Sequence, residues 1–295
     1  MGAWKAVFFA GGAILSATAL AQAADLPPAP AMEPAPAVAE YSGWYLRGAV
    51  GVGIPIGGTT VSITPNPLVG LPADAFNSFY NPTISASGIF SAGVGYQFNN
   101  WLRFDVTGEY HGGSQFEVLE QVAIPSATTQ FADFYRGNLS KFVLMANGYA
   151  DIGTWYGVTP YVGAGVGWAQ NYISGVTDTG FAYVGPGSPG SSTGGFLNNT
   201  STSNFAWALM AGLDFNVTQN LKLELGYRYL NTGPLKTGTS NCFNGTGAGG
   251  GFSVANCGGS GYYLKTGNQG ESDLMLGLIW LFEAPPAPAP IVTRY

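Results

Sequence analysis

The chain is short of the residues that most binding and catalytic chemistry needs. Of 295 residues only 9% are charged, against about 25% in an average soluble domain. One His and two Cys cannot assemble a four-ligand zinc site or a disulfide scaffold. Lys and Arg number 10 against 16 Asp and Glu, so there is no basic surface for nucleic acid. No run of 18 apolar residues follows the N-terminal segment, which excludes a membrane-spanning helix there. No cofactor-binding signature is present either. The glycines of GAGVGWA (Gly163, Gly165, Gly167) mimic a dinucleotide fingerprint, but no helical pattern follows them.

What the chain has instead is 45 Gly, 14% aromatics and 46% apolar residues, the composition of an all-β protein in a non-aqueous setting. Residues 1–23 read as a secretory signal: Lys5, an apolar stretch from Ala6 to Leu20, and Ala21-Gln22-Ala23 as the cleavage site. Residues 24–40 read as a Pro-rich linker and 284–295 as a Pro-rich tail, both extended in character. The folded domain is 41–283. Cys242 and Cys257 lie in a Gly/Ser-rich loop of an exported chain, where a disulfide would staple the loop and contribute about 3 kcal/mol.

Eight segments alternate with period two, the strand signal: 43–53, 84–98, 101–112, 139–152, 159–170, 203–216, 221–231 and 272–283. In 84–98 one phase is Ile84, Phe90, Val94, Tyr96 and Phe98, and the other is mostly Ser and Gly. Eleven charges fall inside the segments: Arg47, Arg103, Asp105, Glu109, Lys141, Asp151, Asp214, Lys222, Glu224, Arg228 and Asp273. Every one is on the phase opposite the apolar set, an outcome of about one in two thousand if each charge chose its phase independently.

A soluble barrel would put the apolar phase inside, a membrane barrel outside. Connections and tryptophans favour the membrane. Long loops (113–138, 171–202, 232–271 and one after the first strand) alternate with tight turns such as Asn99-Asn100. Trp44, Trp101, Trp155 and Trp280 lie near the short-turn ends of strands, and Trp168 and Trp207 toward the long-loop ends. Two aromatic girdles are what membrane–water interfaces select. The expected fold is therefore an eight-stranded antiparallel up-and-down transmembrane β-barrel. Its loops would be extracellular and both termini periplasmic.

The segments YSGWYLRGAVGVG, GVTPYVGAGVGWA and LKLELGYRYLNTG, behind an exported start ending Ala-Asp-Leu-Pro, resemble the porin-family outer-membrane β-barrel proteins of alphaproteobacteria, relatives of the opacity-protein and OmpA-like barrels. That resemblance implies a Gram-negative outer membrane, surface-exposed loops, and structural or porin roles. One departure is a tail beyond the last strand aromatic, Phe282, ending at Tyr295.

An eight-stranded barrel is just wide enough for side chains to fill it. Arg47, Arg103, Lys222 and Arg228 are then expected to pair with Asp105, Glu109, Asp214, Glu224 and Asp273, since isolated buried charges are costly. The first expectation is a monomeric structural and surface-exposed barrel with a salt-bridged lumen. The alternative is a charged pore for ions or small polar solutes lined by the same residues. A lipid-modifying enzyme is the third reading, and His111 with Ser114 is its poorly placed candidate pair. Expected partners are outer-membrane lipid and lipopolysaccharide, the outer-membrane assembly machinery, and a surface ligand on the loops. Loop sequence such as 185–204 is too polar to bury a core and is expected to be mobile. Phe76, Phe79, Tyr80, Phe116, Val118, Leu119, Phe131, Phe134 and Tyr135 suggest instead that two strands continue past the membrane.

Overall fold

A computed structural model describes residues 42–282 except 58, 67, 69–70, 184, 188–189, 246–251 and 257–260. The segments expected as signal (1–23), linker (24–40) and tail (284–295) lie outside the described residues.

Eight long strands close a ring: β1 (Gly43–Ile56), β4 (Ser87–Gln97), β5 (Leu102–Ile124), β6 (Thr129–Asp151), β7 (Val158–Tyr183), β9 (Thr200–Asn216), β10 (Leu221–Lys236) and β13 (Tyr263–Leu281). Each pairs antiparallel with its neighbours in that order, and β13 returns to β1. All eight expected segments are strands of this ring. Closure removes the free edges that an open sheet would leave in lipid. Among the described residues no helix is long and apolar enough to cross a membrane.

The apolar phases point outward. Trp44, Leu46, Val50, Phe104, Val106, Leu144, Leu209, Leu276 and Leu278 are exposed large hydrophobics. The aromatics stand at the two rims of this band. Trp44 meets Tyr96 edge-on at 5.2 Å near the short turns, and Phe142 meets Trp168 at 6.3 Å toward the long loops. Outward Gln115, Asn138 and Thr177 follow next, so the lipid-facing band ends there.

The strands do not stop where the band stops. Residues 113–138, expected as a long connection into which two strands continue past the membrane, form a hairpin of β5 and β6 around a single 3₁₀ turn, Pro125–Ala127. Shorter strands fill the wall above the strands that end early. β2 (Val61–Thr64) pairs β13, β3 (Phe76–Ile84) pairs β5, and β8 (Ser191–Leu197) pairs β7. β11 (Ser240–Gly245) then pairs β8, and β12 (Phe252–Asn256) pairs β11. The expectation that 185–204 buries no core is corrected for its strand: the backbone of 191–197 pairs with β7, and Leu197 is buried in the apolar core.

A change of phase marks the border between the two levels. In β5 the outward residues are even-numbered through Tyr110 and odd-numbered from Gln115 on. The switch is a bulge between His111 and Ser114, where Gly113 has φ +78° and lies open enough that only backbone geometry demands glycine. β7 switches in the same way at Gly175, φ +60°. Above the bulges the phase carrying apolar residues turns inward, and Phe116, Val118, Tyr135, Leu139, Ile173, Val176, Leu197, Leu235 and Leu264 form one core.

Candidate functional site: the lumen

Strand alternation delivers the charged phase into the barrel. Lumen groups are held by neighbouring strands whose register fixes their height. Near the short turns Arg103 (β5) approaches Asp151 (β6) at 3.2 Å and Asp214 (β9) at 2.9 Å. Its guanidinium carbon lies 4.8 Å from the ring centroids of both Tyr149 and Tyr161, a cation–π arrangement that helps a buried cation.

One layer up, Arg47 (β1) is forked over β13 onto Glu224 (β10), with Nε and Nη2 each 2.8 Å from a carboxylate oxygen. Its Nη1 reaches Asp105 at 3.1 Å and donates to the Tyr149 hydroxyl. Tyr161 donates to Glu224, and Asn147 donates to Asp105 at 2.8 Å.

The next layer centres on Arg228 (β10). Nε donates to Asp273 at 2.8 Å, while Nη1 and Nη2 donate to the two oxygens of Glu109, each at 2.7 Å. His111 lies between carboxylates, with Nε2 3.3 Å from Glu109 and Nδ1 2.8 Å from Glu271. Lys141 donates to Glu271 at 2.7 Å. Val143, Met145, Ala169, Ala206, Ala208 and Leu230 pack as an apolar cluster among these lumen strands.

Of the residues expected to line the lumen, Arg47, Arg103, Asp105, Glu109, Asp214, Glu224, Arg228 and Asp273 thus meet in ion pairs. Lys222 is not in these pairs. It is half-buried near the short turns, opposite Asn216 and Ile279. Glu271, Tyr45, Tyr149 and Tyr161 complete the network and escaped the sequence reading. The tyrosines share the phase of Arg47, Asn147 or Thr159, so phase alone was the signal. Glu271 falls one residue before the expected start of its strand. The hydrolase pair is not assembled: Ser114 donates to the Ser85 carbonyl at 2.7 Å while His111 faces carboxylates. Cys242 is disulfide-bonded, and Cys257, the chain's other cysteine, lies outside the described residues.

Among the described residues, the cavity lined by Arg47, Glu109, Tyr149, Tyr161 and Arg228 measures about 10 Å³, room for one water at most. A far larger concavity, about 820 Å³, lies over Gly48, Ala92 and Gly108 between exposed Phe90, Tyr110 and Leu278. It opens on the outer, lipid-facing wall.

A different polar set sits above the apolar core, at the long-loop end. Tyr135 donates to Glu120 at 3.0 Å, its oxygen lies 2.8 Å from that of Tyr262, and Tyr262 donates to Asp178 at 3.0 Å. Burial pushes the Glu120 carboxyl up to about 7, with Asp133 and Asp178 adding to the rise. Burial, with Asp133 beside it, pushes Asp178 up to about 6. Asp133 is raised by burial against a Thr193 hydrogen bond, and both tyrosines are raised, chiefly by burial.

Comparison with known proteins agrees with this architecture. The model of the outer membrane protein β-barrel domain family matches residues 10–254. The chain belongs to that family. An uncharacterized protein of Brucella abortus is 31% identical over 238 residues, covering 74% of this chain and 78% of the relative. A Brucella suis protein is 33% identical over 229 residues with the same coverage. The outer membrane protein PagN of Salmonella typhimurium is 36% identical over 92 residues, 30% of this chain and 33% of PagN. Among solved structures, Neisserial surface protein A aligns over 82% of this chain and 100% of its own at 15% identity and TM-score 0.42. The protein is thus an outer-membrane β-barrel of the kind Gram-negative bacteria carry.

Proposed function

We propose that this barrel is a sealed membrane anchor that presents its long-loop end at the cell surface. The observation that carries the reading is the lumen itself. Three layers of interlocked arginine–carboxylate pairs leave a cavity of about 10 Å³, and a charge cluster that tight is a plug rather than a water path. The long-loop end faces outward and both termini lie in the periplasm. In this reading the barrel works as a monomer, its partners being outer-membrane lipid, lipopolysaccharide and the machinery that inserts it.

Presentation is supported by the wall above the lipid band. There Tyr80, Leu119 and Phe134 stand side by side in register and outward-facing, with exposed Phe76 and Phe181 nearby. Such a patch outside the lipid band is suited to a surface ligand on the loops.

The test is ion conductance of the refolded chain in planar bilayers. The wild type is expected to be silent, and Arg47→Ala, which removes the cation shared by Glu224 and Asp105, to give measurable leak if it folds. Discrete, charge-selective openings in the wild type would overturn the sealed anchor in favour of a small-solute pore. Surface proteolysis of intact cells tests orientation: cleavage within 232–271 is expected, and cleavage only at the short turns would invert it.

A further inference from the structure

We propose that the oxygen chain Glu120–Tyr135–Tyr262–Asp178 holds one shared proton and acts as a pH-released tie across the long-loop mouth of the barrel. The four groups come from opposite walls. Glu120, Tyr135 and Asp178 stand on consecutive strands β5, β6 and β7, whereas Tyr262 immediately precedes β13. On the ring β13 is separated from β5 by β1 and β4, and from β7 by β9 and β10. The chain of contacts is therefore a chord across the mouth.

Counting protons shows why one is shared. Three short contacts link four oxygens, at 3.0, 2.8 and 3.0 Å. Two tyrosine hydroxyls supply two protons. With both carboxyls ionised, each hydroxyl donates to its own carboxylate, and the central 2.8 Å contact between tyrosine oxygens has no proton. A third proton on either carboxyl completes the row: carboxylic acid to tyrosine, tyrosine to tyrosine, tyrosine to carboxylate. The unpartnered Oδ1 of buried Asp178 fits a neutral acid at that end, since a bare buried carboxylate oxygen is costly.

Among the described residues no cation faces the chain to take the proton's place. From β3, Asn77 donates its amide to Glu120. From β6 comes Asp133, a further carboxylate, and from β8 Thr193, which donates to Asp133 at 3.4 Å. β2 and β11 carry no charged residue. Arg136, Lys236 and Lys265 are exposed, Arg136 paired with Glu117 and Lys236 over the Tyr263 ring. Inward Phe116 and Val118 lie between Glu120 and His111 along β5, separating the tie from the lumen charges.

The tie holds a strip of backbone. Tyr262 accepts from the Ser240 amide at 2.7 Å, and Leu264 accepts from the Thr237 amide at 2.9 Å. Opening it exposes these amides. The closed tie keeps a proton that separated carboxyls, with ordinary values of 4.5 and 3.8, have already lost. Closure therefore weakens as pH rises above those values and levels off once the closed form also ionises.

Amide exchange of Thr237 and Ser240, measured on the full chain refolded in phosphocholine bilayers and corrected for intrinsic rates, tests this. Opening is expected to grow by up to about tenfold per pH unit from pH 4.5 to 7 and then to plateau. Glu120→Gln and Asp178→Asn place a permanent amide donor at either end and are expected to flatten the profile while keeping protection. Asp133→Asn is expected to retain the slope. A flat wild-type profile, or an unchanged slope in both amide variants, would overturn the proposal. Should those variants not fold, carbon-13 titration of the wild-type carboxyls decides. One proton retained by the pair near pH 6 supports the tie, and both carboxyls ionised at pH 5 refutes it.

Discussion

The two levels of the barrel fill the same eight-strand cross-section with opposite chemistry. At the lipid level the wall is greasy and the interior carries the ion pairs beside one small apolar cluster, whereas above the bulges the interior is Phe116, Leu139, Ile173, Leu235 and Leu264 and most of the wall is polar. Each level puts its apolar face where water is absent, lipid in one case and core in the other. The difference teaches that solvent, and not the fold, decides which face of a strand is apolar. A single inserted residue such as Gly113 suffices to exchange the faces, because the side-chain period along a strand is two.

The levels should also fail differently, and four changes of decreasing size sharpen the contrast. Arg228→Ala leaves Glu109 and Asp273 buried without their cation, an expected loss of about 3–5 kcal/mol, read as a lower urea midpoint in lipid vesicles. Leu264→Ala opens the upper core. It is expected to cost about 2–4 kcal/mol of local stability, seen as lost amide protection at 116–123 with the lumen pairs intact. The proton tie adds a pH dependence confined to the upper level. Glu117→Gln removes an exposed partner of Arg136, paired at 2.7 Å with side chains 31% and 58% accessible, and is expected to change stability by less than about 1 kcal/mol. A loss from Glu117→Gln equal to that from Arg228→Ala would erase the distinction between buried and exposed pairs.

The lipid level was almost wholly legible in the sequence. Its strands keep one uninterrupted phase, so Trp44, Leu46 and Val50 face out and Arg47 faces in by counting alone. The pairing partners were not legible, because Arg47 and Glu224 are 177 residues apart and meet only when the ring closes. Tyr45, Tyr149 and Tyr161 were passed over because the inward phase was followed by its charges alone, although their own phase placed them inside.

The upper level was legible only in fragments. Phe116, Val118 and Tyr135 signalled strands beyond the membrane, but the bulges at Gly113 and Gly175 reverse the alternation in mid-strand and hide its continuation. β8, with sequence SSTGGFL, carries too little apolar surface to declare itself. Its strand character comes from pairing with β7 and β11, a tertiary effect with no local trace. The tie between Glu120 and Asp178 was invisible for the same reason, since Tyr262 joins it from the far wall.

The measurement that tests the two-level account most directly is amide exchange along β5 in lipid vesicles under rising urea. Residues 104–111 and 115–123 belong to one strand on either side of the bulge. The account predicts that 115–123 lose protection at lower urea while 104–111 stay protected until the whole barrel unfolds. Loss of protection in both stretches at one urea concentration would contradict it, and would mean that the ionic lumen and the apolar core open as a single unit.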